Sequence, residues 1–222
     1  MPIITPSDWN PAEATFRFPT KPSATNRKFI FINKSSTENK TEIQLADPKK
    51  KENYLWMPFN ISDPMSSTGG GESNNERLTA EVAVTDPVLA AKLKKMDEVI
   101  LKFIHENASH AKVFNKALSE ETIADRYTPP FRTTEEEGKS NLLRLKISTN
   151  RIEVYRLIEY DEKEDKLRVK RMSKESGIAL LTRGCRIAPE VEIGTIWFAA
   201  GDKQFGYSVQ ISKVIVDDSS ST

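Results

Sequence analysis

The apolar period of this chain changes in the middle of a single run, and that change limits the folds open to it. In "RLTAEVAV", residues 77 to 84, Leu78, Ala80, Val82 and Val84 recur at every second position, the pattern of a half-buried strand. Asp86 and Pro87 come next, an N-capping residue and a proline suited to the first helical position. Beyond them Leu89, Leu93, Met96, Ile100, Phe103 and Ile104 fall on one helical face. The spacing predicts a strand that runs into a long helix over about 87–108, its apolar stripe turned to a core. A shorter helix or two should follow in "HAKVFNKALSEETIADRY", stopped by Pro129 and Pro130.

The rest of the chain reads as strands. "NLLRLKIST" (141–149), "IEVYRLIEY" (152–160), "KLRVKRM" (166–172), "EVEIGTIWFAAG" (190–201) and "QFGYSVQISKVIV" (204–216) carry the second half. Earlier, "KFIFIN" (28–33) and "TEIQLA" (41–46) flank a polar loop of hairpin type. Residues 1–27 hold five of the chain's prolines and predict an extended arm. Strands, one long helix and more strands, without alternation, predict a mainly β fold. The expected architecture is an antiparallel barrel or sandwich over 28–216, with a helical insertion at about 87–127 and a short polar tail at 217–222.

Composition removes several function classes. At 222 residues and 37% hydrophobic the chain can bury one sizeable core, and a net charge of +1 does not make its whole surface a cation. A polyanion site must therefore be a local patch. One cysteine, Cys185, and two scattered histidines give neither an internal disulfide nor metal-ligand spacing, so the expectation is a reducing, intracellular compartment with no metal or other cofactor. No apolar run has the length of a membrane span, so no membrane partner is expected. Catalysis is not expected either. "TGGGES" lacks the lysine and hydroxyl of a phosphate loop, "TEEEG" and "DEKED" read as solvated turns, and His105 as a helix-surface residue.

What remains are strand faces with a sign. Alternation turns Leu143, Leu145 and Ile147 inward and leaves Arg144 and Lys146 outward. Likewise Lys166, Arg168 and Lys170 oppose Leu167 and Val169, with Arg171 breaking the alternation. Aromatic residues lie among these cations: Tyr155 beside Arg156, Trp56 and Phe59 in the proline-broken "NYLWMPFNISDP", and Trp197 in the penultimate strand. A basic groove lined with rings is how proteins hold single-stranded nucleic acid without reading its sequence. Solubilising or edge-protecting cations are the plainer reading of any one of these residues. Trp56 and Phe59 have two readings as well, base-stacking rings under a closing loop, "MSSTGGGESNNE", or a plug at the end of the barrel. On the last strand Phe205, Tyr207, Val209 and Ile211 share a face and belong to the core, whereas Trp197 shares its face with Val191 and Ile193 and Phe198 points away. Of Trp197 and Phe198, one is buried.

The order "RLTAEVAVTDPVLAAKLKKMDEVILKFIHENA" and the closing "GCRIAPEVEIGTIWFAAGDKQFGYSVQISKVIV" resemble the single-stranded-DNA-binding proteins of phage T-seven and of nucleocytoplasmic large DNA viruses. The likeness spans about 54–216 in outline. It implies an OB-fold barrel with an inserted helix that binds single-stranded DNA in replication or recombination, at sites of viral DNA replication in the host cell. It also implies that an aromatic of the final hairpin, Trp197, lies near the DNA. Replication proteins and a second copy held through the N-terminal arm are further partners in that reading. The chain departs from the family in its ending, "DDSSST", where the phage protein has a long acidic tail that recruits partners. A rival reading keeps the OB-like domain and drops the ligand, giving a self-assembling virion or shell protein.

Overall fold

A computed structural model of the chain describes residues 3–20, 28–32, 42–62 and 77–219. Twelve strands of these residues join in one sheet. They are β1 (Ile3–Ile4), β2 (Phe16–Arg17), β3 (Phe29–Ile32), β4 (Glu42–Gln44), β5 (Leu55–Trp56), β6 (Arg77–Ala83), β7 (Phe131–Arg132), β8 (Leu142–Ser148), β9 (Glu153–Asp161), β10 (Lys166–Arg171), β11 (Arg186–Phe198) and β12 (Phe205–Asp217). Helices α1 (Pro87–Glu106), α2 (Glu120–Arg126) and α3 (Lys174–Ala179) complete the described elements.

Five pairings return to the strand they start from: β11 to β5, β5 to β6, β6 to β8, β8 to β12, and β12 back to β11. The sheet is mixed. β12 runs parallel to β8 and to β9, and β1 parallel to β4, which corrects the expectation of a purely antiparallel arrangement. The expected hairpin between 28–33 and 41–46 is also absent from the pairing. β3 pairs with β2 and β11, while β4 pairs with β1 and β11, so the long strand β11 separates the two. Length explains this arrangement, because thirteen residues of β11 offer successive stretches of one edge to β5, β4 and β3.

Helix α1 forms where its sequence predicts. The Asp86 side chain accepts from the Val88 amide at 2.9 Å, satisfying a donor that the first helical turn leaves open, and Pro87 occupies the first helical position. Leu89, Leu93, Met96, Ile100 and Ile104 are buried, each worth roughly 1.5–3 kcal/mol on the apolar-transfer scale. Phe103 leaves the core stripe and stacks on Phe16 of β2, ring centroids 4.1 Å apart. The N-terminal segment is therefore less extended than its prolines suggest. Pro11 starts a single 3-10 turn, Trp9 is buried, and Lys92 of α1 donates to the Trp9 carbonyl at 2.6 Å. These contacts already occupy the described part of the arm within its own chain.

Under the sheet, Asp97 of α1 accepts from the Tyr127 hydroxyl at 2.6 Å, and the buried Tyr207 hydroxyl lies beside the same carboxyl without a well-formed bond. Burial outweighs those hydroxyls and pushes Asp97 up to about 6. Because the folded value lies above the ordinary 3.8, the stability that Asp97 confers as an acid is complete below pH 3.8 and is lost as pH rises through about 6. Asp97→Asn keeps an acceptor for Tyr127 and cannot ionise. We expect it to raise stability over the natural chain by about 1–3 kcal/mol at pH 7.5 and by nothing measurable at pH 4, read by urea unfolding at both pH values.

Candidate nucleic-acid interface

The core face of the ring is aliphatic and aromatic. Leu143, Leu145 and Ile147 of β8 are buried, as are Phe205, Tyr207, Val209 and Ile211 of β12, as their alternation predicts. The outer face carries the chemistry. Register places Lys146 opposite Thr79 of β6 and Gln210 of β12, and Arg144 opposite Glu81 of β6.

Trp197 reaches this face by an irregularity that alternation alone does not reveal. Ile193 pairs with Val209 and Ile196 with Tyr207, so β11 has one residue more than β12 over this interval, at Gly194 and Thr195. The bulge reverses the phase of every later residue of the strand. Phe198 is buried beside Phe114 and Phe205, and Trp197 turns to the outer side, away from the face of Val191 and Ile193 that it was expected to share. It pairs with Gly206 on β12 and with Phe29 on β3. A side chain at Gly206 would meet the Thr128 carbonyl oxygen and would come within 2.9 Å of Trp197 Cζ2, so glycine is what lets the indole lie against the strand.

Lys146 Nζ stands 5.7 Å from the centre of the Trp197 ring, a cation–π pair on the outer surface. Lost hydration first, then the positive charges of Arg77 and Arg144, hold the Lys146 ammonium below the usual lysine range. The residue as a whole is exposed, so this lowering is only weakly felt in stability. Its meaning is electrostatic. Three cations gather on β6 and β8, and among the described residues only Arg144 has an acidic partner, Glu81 at 3.4 Å, which Arg132 shares. An anion placed there would relieve the repulsion.

The remaining cations proposed from sequence lie on the hairpin β9–β10, further along β12. Lys166, Arg168 and Lys170 stand opposite Asp161, Glu159 and Arg156. Arg168 bonds Glu159 at 2.8 Å, Arg171 bonds Glu153 at 2.7 Å, and Arg156 meets the Asp218 carboxylate with two nitrogens at 2.9 and 3.1 Å. Lys166 and Lys170 have no acidic partner among the described residues. Tyr155 is half-buried, beneath Lys213 and bonded to Glu153, and alternation puts it on the opposite side of β9 from Arg156. Carboxylates of the neighbouring strand thus offset much of this second cationic row.

Trp56 and Phe59 are 43% and 52% exposed, so neither plugs the ring. Met57 between them is fully buried, its sulfur 3.5 Å from Cys185 Sγ. Trp56 stands on β5 opposite Ala83, two strands from the cations of β8 with β6 between. The glycine loop expected to close over a ligand lies outside the described residues.

Sequence reading passed over three residues of this face. Phe29 and Phe31 of β3 are half-exposed and meet edge to face at 5.0 Å, and Arg17 of β2 lies over the Phe31 ring at 5.4 Å. Alternation in "KFIFIN" held a signal, since Ile30 and Ile32 are buried and the phenylalanines between them face the other way.

Taken together, these elements define a mainly β protein with a cationic, ring-bearing outer face. No family model matches the chain, and no curated protein does. Among solved structures, the single-stranded DNA-binding protein from bacteriophage Enc34 in complex with ssDNA is similar at 14% identity and a TM-score of 0.43, over 90% of this chain and 94% of that one. A second structure of the Enc34 protein is similar at 11% identity and a TM-score of 0.39, over 90% and 88%.

Proposed function

We propose that this chain binds single-stranded DNA largely independently of sequence, in replication or recombination, and that β5, β6, β8, β12 and β11 form an OB-type barrel. The observation that carries the proposal is the pairing of Lys146 with Trp197 on a face where Arg77 and Arg144 add charge. A ring supplies a surface for any base, and cations beside it supply partners for phosphates on either side of that base. Neither contact depends on base identity. In chain order β6 and β8 are the second and third strands of the ring, the face by which OB folds hold oligonucleotides. The turn at 199–204, between β11 and β12, would flank a bound strand.

Duplex DNA is a poor match, because the face offers flat rings and no element shaped to enter a groove. In this reading the chain works in a reducing compartment, at a site of viral DNA replication. Cys185 suits such a setting as a free, buried thiol, which burial pushes up to about 11. The test is a competition at moderate salt, in which unlabelled single strand or duplex of the same sequence displaces a labelled single strand. Single strand should displace at least tenfold more effectively. Equal displacement would overturn the proposal, and no binding of either form would leave a structural role in its place.

A further inference from the structure

Outside the five-strand ring, β3 pairs with the last residues of β11, and β2 pairs with β3. Register makes these additions continuous with the face already described. Trp197 stands opposite Phe29, Thr195 opposite Phe31, and Phe31 opposite Arg17, so all five side chains share one side of the sheet. The intervening residues confirm the phase. Ile30 opposite Ile196, and Ile32 opposite Phe16, point to the core.

We propose that the β2–β3 hairpin carries a second subsite for single-stranded DNA, in which Phe29 and Phe31 receive a base and Arg17 a phosphate. This inference rests on the function proposed above and extends it to residues outside the ring. Its basis is a repeated chemistry. On β8 and β11 a cation lies over a ring at 5.7 Å, and on β2 and β3 a cation lies over a ring at 5.4 Å. In both places the ring is half-exposed and the cation exposed. A ring whose only task is to pack under the sheet would turn inward, as Phe16 does against Phe103.

Among the described residues Arg17 has no carboxylate partner, and its contact is with the Phe31 ring. From β8 across β12, β11 and β3 to β2 is four strand spacings, or about 19 Å. A track of that width is longer than one or two nucleotides and falls at the short end of the roughly 4–16 nucleotides that OB folds occupy. The first subsite, at Trp197 and Lys146, can be filled by a short strand. The second is reached only by a strand that continues past it.

Oligomer length therefore tests the inference. Oligothymidylates of two and of twelve nucleotides would be titrated against the natural chain, Arg17→Gln, Phe31→Leu and the double variant. Leucine keeps apolar bulk at position 31, and thermal melting shows which variants remain folded. With the twelve-nucleotide strand, the double variant should bind about tenfold more weakly, and Arg17→Gln should flatten the log–log salt slope by about 0.7, one phosphate contact. With the two-nucleotide strand, all variants should stay within about twofold of the natural chain. Equal losses at both lengths, or no loss at twelve nucleotides, would overturn the second subsite while leaving the first intact. Failure of the natural chain to bind either strand would overturn both proposals.

Discussion

Trp197→Ala should weaken single-strand binding by about 5- to 150-fold, the largest effect of any single substitution on the face. The range follows from the roughly 1–3 kcal/mol that a stacked base contributes through its aromatic partner. Trp197 is placed to show the full value because it lies at the junction of both cationic regions, opposite Gly206 and Phe29 and beneath Lys146. Its ring is also half-buried, so some loss of stability must be separated from loss of contact. Trp197→Phe makes that separation, since it keeps a flat face. Affinity retained within a few-fold by Phe and lost by Ala, at temperatures where both are folded, is the expected result. Equal affinity for all three would remove Trp197 from the interface.

The second large effect is on the fold. Gly206→Ala should destabilise the protein by about 2–4 kcal/mol, because its Cβ would meet the Thr128 carbonyl oxygen and the Trp197 ring together. Neither neighbour can give way easily. The Thr128 amide donates to the Phe205 carbonyl at 2.8 Å, which fixes that backbone against β12, and the indole is confined between Gly206 and Phe29. Chemical denaturation reads the change. A midpoint unmoved by the substitution would mean that the segment around Thr128 lies elsewhere. Because Gly206 supports the indole, affinity should also fall in whatever fraction remains folded.

How far these residues were legible from sequence depends on whether local spacing or distant pairing places them. Local spacing was sufficient for α1, whose Asp86, Pro87 and apolar stripe all lie within one run, and for the buried face of Phe205, Tyr207, Val209 and Ile211. It failed at Trp197, because a single bulge at Gly194 and Thr195 inverts every later residue of β11, and no period shows where a strand takes an extra residue. It also failed to separate the cations that have an acidic partner among the described residues from those that have none there. Lys146 and Arg168 look alike in sequence, yet Glu159 lies on the strand beside Arg168, while the neighbours of Lys146 are Thr79 and Gln210. Arg17 sits in a proline-rich segment whose composition gives no sign of a strand. Only its pairing with β3 brings it to the face. Helix α3 was missed because six residues are too few to show a helical period, although Ser173 accepting from the Ser176 amide is a readable cap.

The central claim is that phosphates are held by Arg77, Arg144 and Lys146 beside the Trp197 ring. The most direct measurement is the dissociation constant of the natural chain for a twelve-nucleotide oligothymidylate, followed by quenching of indole fluorescence across a series of salt concentrations. With Arg17 these three cations make four phosphate contacts at about 0.7 each, a log–log slope near −2.8, and substituting Arg77, Arg144 and Lys146 by alanine should bring it to about −0.7 with the fold intact. A slope that the triple variant leaves unchanged, or binding indifferent to salt in the natural chain, would contradict the account.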